Sequence, residues 1–113
     1  MKGDVRDPRT FFEDHAPAVL RGRIQAALPR DVVVLFHIKG TGGGTWQVLR
    51  GEEDVQIGPA SDGPKDCQVW CSADDFMGIV SGTLSGRNAF LSGRLRVVGD
   101  VGLALRLQGI LVA

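Results

Sequence analysis

The side chains here with the chemistry to catalyse a reaction or to hold a metal are few and scattered. His15 and His37 are the two histidines, either of which could serve as a general base or a ligand. His15 falls on the polar side of the first helical stretch and His37 inside the first apolar strand. No Gly-X-Ser-X-Gly elbow is present, and no spacing suggests a Cys–His couple. Both histidines therefore read as surface or satisfied core residues. Cys67 and Cys71 stand four apart in a strand-like run, roughly 13 Å when extended at ~3.3 Å per residue. That exceeds the ~7 Å between Cα atoms that a disulfide spans. It also keeps the two sulfurs off one metal ion, whose Zn–S bonds are ~2.3 Å long. Both point to one strand face and read as small buried hydrophobes of a reducing compartment. The pairs Glu52-Glu53 and Asp74-Asp75 suit a turn and a helix start. Neither has further ligands beside it in the sequence. The loop Gly40-Thr41-Gly42-Gly43-Gly44 fits neither G-x-G-x-x-G nor a Walker pattern and joins two strands rather than opening a helix. The expectation is a protein that is not an enzyme, with no catalytic residue, no metal and no cofactor.

Length and charge bound the alternatives. The 113 residues suit one domain, 1–113, with a polar stretch over 1–9 expected to be loose. Formal net charge is zero, so no overall field draws in nucleic acid, and membrane contact is expected to be transient at most. The distribution is uneven. Residues 1–30 carry six basic and four acidic groups, residues 31–84 three and eight, and residues 85–113 four and one. No stretch approaches 18 apolar residues, and the first residues lack the apolar run of a signal peptide. A cytoplasmic protein is expected. The C-terminal Leu111-Val112-Ala113 is not a peroxisomal address, and ten Arg against three Lys hint at a GC-rich bacterial source.

Periodicity places the elements. Phe12, Ala16, Val19, Leu20, Ile24, Ala27 and Leu28 recur at three and four, an amphipathic helix that Thr10 would cap and Pro29 would end. At Pro17 this helix either kinks or restarts with the proline in its first position. Val32 to Ile38 reads as a central strand, followed by Thr45 to Arg50 and Asp54 to Ile57 in a meander. After a polar crossover, a fourth strand runs from about Cys67 to Cys71. Ser72 and Asp75 form a capping box for a helix from Ala73 to Val80, which Gly82 stops. A second short helix covers about Gly86 to Leu91, and a strand covers Arg94 to Gly99 with Leu95 and Val97 inward. Asp100 caps a last helix striped by Leu103, Leu107, Ile110 and Leu111. Helices with one apolar stripe must share one sheet face, giving a five-stranded α+β layer structure.

The order of motifs from Asp66 onward carries a family likeness. Asp66-Cys67-Gln68-Val69-Trp70-Cys71-Ser72, then Asp75-Phe76, Gly78 to Gly82, Asn88-Ala89-Phe90, Ser92 to Asp100 and Gly102 to Gln108 follow one another as in the sterol carrier protein type 2 family, which this chain resembles. The N-terminal half agrees in general plan. The resemblance implies a mixed α/β sheet in the order 3-2-1-4-5, helices covering one face, and an apolar ligand tunnel between the layers. It implies a lipid partner: a fatty acyl chain, a sterol or an isoprenoid tail. The expected lining is Phe76, Ile79, Val80, Leu84, Phe90 and Leu95, continued by Val97, Leu103, Leu107 and Leu111. Gln108, on a Leu-Gln pair shared with the family's last helix, is expected to anchor a head group. The resemblance also extends to accessory proteins of ubiquinone biosynthesis, so the alternative is a scaffold presenting isoprenoid intermediates to enzymes. Because Cys67, Val69 and Cys71 face the helices, Trp70 falls on the other sheet face with Val33 and Leu35. That bare face would receive a second copy or an enzyme partner.

Overall fold

The computed structural model describes residues 5–111. Five strands, β1 (Val32–Lys39), β2 (Gly44–Arg50), β3 (Val55–Pro59), β4 (Cys67–Ser72) and β5 (Arg96–Gly99), form one sheet in the order β3-β2-β1-β4-β5. β1 pairs antiparallel with β2 and parallel with β4; β2–β3 and β4–β5 are antiparallel. The mixed sheet and its order agree with the expectation. Register fixes the faces, since directly paired residues share a side. Val34, Phe36 and Ile38 of β1 lie level with Val48 and Trp46 of β2 and with Cys67, Val69 and Cys71 of β4, and all are buried. Val33, Leu35, His37, Gln47, Gln68, Trp70, Arg96 and Val98 occupy the opposite face.

Helices cover the inner face. The N-terminal ones are α1 (Pro8–Thr10), a π-helical turn (Phe11–His15), α2 (Ala16–Val19) and α3 (Arg21–Ala27). The cap is Asp7, not Thr10: its Oδ1 accepts from the Thr10 N–H at 2.8 Å, and the same residue's backbone and side chain hold its carboxyl below the ordinary value. Of the loose stretch expected over 1–9, residues 1–4 lie outside the described residues, while Pro8 and Arg9 are helical. The Arg9 N–H donates to Gly42 O at 3.0 Å, clasping this segment to the β1–β2 loop. Gly42 sits at φ +76, and a Cβ there would come within 2.6 Å of Asp7 Cβ.

Pro17 shapes the rest. It cannot donate to Glu13 O, and its ring would press on that carbonyl in a regular helix. The π turn opens the ladder just before it, with Ala16 N–H bonded to Phe11 O. Phe12, Ala16, Leu20, Ile24 and Leu28 all reach the core at steps of four, which drift by about 40° each in a regular α-helix. The π turn and the break at Leu20 absorb that drift. The simple stripe was therefore out of phase at two places: Val19 is 58% exposed, whereas Phe11 is fully buried.

The second half follows its local signals closely. α4 (Ala73–Ser81) begins where Ser72 Oγ accepts from Asp75 N–H at 3.0 Å and ends at Gly82, φ +83. α5 (Gly86–Leu91) is capped by Ser85, and α6 (Val101–Leu111) by Asp100, whose Oδ1 accepts from Leu103 N–H at 3.3 Å. β5 starts at Arg96 rather than Arg94, because the N–H groups of Arg94 and Leu95 both bond Ala89 O at the end of α5. Asp66 fastens the centre: its Oδ2 accepts from Val33 N–H at 2.8 Å, and its backbone bonds Val33 O and Asp100 N–H.

Candidate functional site

The layer between sheet and helices encloses a cavity of ≈ 20 Å³. The sheet supplies Phe36 and Val69 to its wall, α4 supplies Phe76 and Ile79, and Leu95 comes from the turn before β5. α6 closes it with Ala104, Leu107, Gln108 and Leu111. No charged side chain is among these. The volume matches about one water, since a water needs only ~10–15 Å³ by this measure. The space is thus a narrow apolar seam lying between the layers, where the tunnel was expected. Apolar surfaces that can approach do so, because each unfilled gap forfeits dispersion contacts on both sides.

Six of the eleven expected lining residues meet at this cavity: Phe76, Ile79, Leu95, Leu107, Gln108 and Leu111. Five do not line it. Val80 and Leu103 are buried elsewhere in the core, whereas Leu84, Phe90 and Val97 are half-buried and packed against it. Sequence reasoning missed Phe36, Val69 and Ala104. Val69 was legible in the Cys67–Cys71 alternation. Phe36 was not, because β1 is apolar on both faces, and Ala104 is too small to stand out beside Leu103.

Gln108 has a definite local partner. Its Oε1 accepts from Gly86 N–H at 2.9 Å, tying α6 to the first turn of α5. Gly86 must be glycine for this approach, since a Cβ would lie 2.6 Å from Oε1 and 2.8 Å from Gln108 Cβ. Among the described residues, the Asp100 cap and this latch hold α6 besides its apolar stripe.

The residues with reactive chemistry do not converge. His37 Nε2 lies 3.1 Å from Gln68 Oε1 on the outer sheet face, and the His15 ring centroid is 5.6 Å from that of Phe11. Among the described residues, no three His, Cys, Asp or Glu side chains are grouped to hold a metal ion, and no helix is long and apolar enough to cross a membrane. Cys67 and Cys71 are free and buried. Burial, with Asp100 and Asp66 nearby, pushes Cys67 up to about 11; burial and Asp75 push Cys71 up to about 12. Thiolate is the reactive form, so neither thiol is expected to react with a disulfide reagent in the native state at pH 8, while both react on unfolding. Rapid native-state labelling of either would contradict this burial. The native state keeps its protons above the ordinary thiol value of 9.0, where the unfolded chain loses them. Stability is therefore expected to fall as pH rises from 9 towards 12, and Cys71→Ala to flatten that decline.

The outer face is less bare than expected. Trp70 is half-buried between His37, stacked on it at 4.6 Å, and Arg96, whose guanidinium carbon lies 5.5 Å from the ring centroid. Val98 is 44% exposed beside them. Leu35, expected to share an open surface, is only 6% exposed. The crossover folds back here: Ser61 and Lys65 both hydrogen-bond Gln47 Oε1, and Gln47 is level with Leu35.

Comparison with known proteins agrees with this architecture. Residues 23–112 match the model of the SCP-2 sterol transfer family, a match that begins within α3. The chain is 31% identical over 81 residues to sterol carrier protein 2 of Homo sapiens, covering 69% of this chain but only 15% of that protein. It is 29% identical over 99 residues to a fatty acid-binding protein of Yarrowia lipolytica, covering 84% of this chain and 77% of the other. The solved apo form of sterol carrier protein 2 from Yarrowia lipolytica superposes with a TM-score of 0.61 at 28% identity, over 91% of this chain and 82% of that one. A sheet of this order, an uncharged seam beneath α4 and α6, and a family match over most of the sequence lead to one conclusion: this chain belongs to the SCP-2 sterol transfer family.

Proposed function

We propose that this domain is a non-catalytic lipid carrier that takes an acyl chain, sterol or isoprenoid tail into the seam between sheet and helices. One observation carries the reading: the cavity under α4 and α6 is walled by apolar side chains with no charge among them. Moving a hydrocarbon tail from water into such a space gains ~0.8 kcal/mol per methylene. The names of the human and yeast relatives, a sterol carrier and a fatty acid-binding protein, support the ligand class. A cavity of ≈ 20 Å³ is too small for a lipid, so occupation has to widen the seam, and α6, which walls it with four residues, is the element assigned that movement. The latch from Gln108 to Gly86 is what must release, which gives Gln108 the role of a catch on the chamber. Two free buried thiols suit the reducing cytoplasm.

The test is binding with exchange. A fluorescent fatty acid or sterol probe is expected to bind at micromolar concentration or better. Ligand should slow amide exchange in α6 far more than in β1, because weakly tethered elements open at low free energy. A folded protein that binds neither probe would end the carrier reading. Binding without selective protection of α6 would make that helix a fixed wall.

A second reading is favoured by the outer face. There the domain presents an isoprenoid intermediate to a biosynthetic assembly, as an accessory of the ubiquinone type, or pairs with a second copy. The observation is the Trp70 stack with Arg96 and His37 beside exposed Val98. A presenting subunit binds lipid yet transfers it poorly between vesicles, and Trp70→Lys strips its partners or changes its sedimentation.

A further inference from the structure

Two spaces flank one aromatic cluster. The inner one is the seam described above. The outer one is a solvent-facing groove of ≈ 440 Å³ between the N-terminal helical segment and the adjoining ends of β2 and β3, walled by Arg9, Glu13, Trp46 and Pro59 among others. This volume lies within the ~300–1,000 Å³ of ligand pockets, unlike the inner cavity. Phe12 also lines the groove. Its ring stacks on Trp46 at 4.8 Å and lies 5.1 Å from Phe36 and 5.2 Å from Phe76. Phe36 and Phe76 line the inner cavity. Phe12 therefore links the two: it lines the groove and packs directly on two rings that line the seam.

The groove carries the charge that the seam lacks. Arg9 Nη1 donates to Glu13 Oε2 at 3.0 Å, its guanidinium carbon lies 5.7 Å from the Trp46 ring centroid, and Trp46 Nε1 donates to the same carboxylate oxygen at 3.3 Å. The Arg9 side chain is 57% exposed, so its pair with Glu13 is screened and readily exchanged. A guanidinium has five N–H donors in a planar fork suited to a carboxylate. Glu13 beside it repels any anion, and a doubly charged phosphate about twice as strongly as a carboxylate. Phe12 sits in the π turn, an interruption of the regular ladder of a kind frequent at functional sites.

We propose that this groove receives the carboxylate of a long-chain fatty acid on Arg9, and that Phe12 is the gate through which the alkyl chain reaches the seam. The inference rests on the seam being the lipid chamber. It sets the ligand's direction: head at Arg9, tail towards Gln108 and Leu111.

The chain has two tryptophans, so Trp70→Phe leaves Trp46 as the reporter. Stearic acid carrying a doxyl quencher near the carboxylate is expected to quench Trp46 more strongly than stearic acid carrying it near the methyl end. Arg9→Gln is expected to weaken stearate binding about tenfold, the worth of one charge-assisted hydrogen bond, while leaving stearyl alcohol unchanged. Arg9→Lys should recover part of the loss. Stronger quenching from the methyl-end label, or equal quenching by both, would overturn the assigned direction and leave the chamber reading intact. Equal weakening of acid and alcohol in Arg9→Gln would overturn the role of the cation. Failure of every lipid to bind the unmodified chain would overturn the chamber and the groove together.

Discussion

Replacing Phe76 by alanine is expected to lower the unfolding free energy by about 3–5 kcal/mol. The ring is 2% exposed at the hub of the aromatic cluster. It lies edge-on to Phe11 at 5.2 Å, stacked on Phe12 at 5.2 Å and edge-on to Phe36 at 6.4 Å. Each such pair adds about 0.5–1.5 kcal/mol beyond area burial. A domain of this size holds roughly 5–15 kcal/mol in all, so the variant should be close to marginal. The urea midpoint measures the loss, and Phe76→Leu, which keeps most of the volume, should lose much less. Phe76 also lines the seam, so the alanine variant enlarges the space in which a lipid is proposed to sit. A saturating fatty acid should then stabilise it more than it stabilises the unmodified chain. A loss below about 1 kcal/mol would show that the cluster repacks around the gap instead of holding a fixed shape.

Leu107→Asp should have an effect of similar size, and one that acid relieves. Leu107 is 1% exposed and forms part of the seam wall on α6. An isolated carboxylate there has no cation in the wall to pair with, and burying it costs several kcal/mol unless it takes up a proton. Desolvation then raises its folded pKa above the unfolded value of about 3.9. The folded state binds the extra proton, so stability falls as pH rises through that window and is recovered as pH is lowered. The variant should melt at a higher temperature at pH 4.5 than at pH 7, relative to the unmodified chain at each pH. Where it folds, it should bind lipid probes weakly or not at all. Undiminished probe binding by a folded Leu107→Asp chain at pH 7 would remove the seam as the ligand chamber.

How much of this was written in the sequence differs between the two halves, for a physical reason. From Cys67 onward each element carries its own start and stop. Ser72 caps α4, Gly82 ends it, Asp100 caps α6, and the alternation of Cys67, Val69 and Cys71 sets one strand face. Such signals act within one helical turn or one strand pair, so their meaning survives without knowledge of the rest of the chain. The family likeness rested on these same residues, and with it came the strand order, which local pattern alone does not impose. In the N-terminal half the deciding events are longer in range. The π turn before Pro17 turned Phe11 inward and Val19 outward, against a stripe that a regular helix would have kept. β1 is apolar on both faces, so only its pairing with β2 and β4 shows that Phe36 looks into the seam and Leu35 away from it. The crossover's return to Gln47 buried Leu35 on a face that strand parity alone would leave open. The candidate site is the part that only the tertiary structure decided. An apolar chamber and a packed core use the same residue types, and what separates them is where the layers leave space. That space depends on how closely α6 approaches the sheet, on the glycine at 86 that admits Gln108, and on how the rings of Phe12, Phe36 and Phe76 pack between the charged groove and the uncharged cavity.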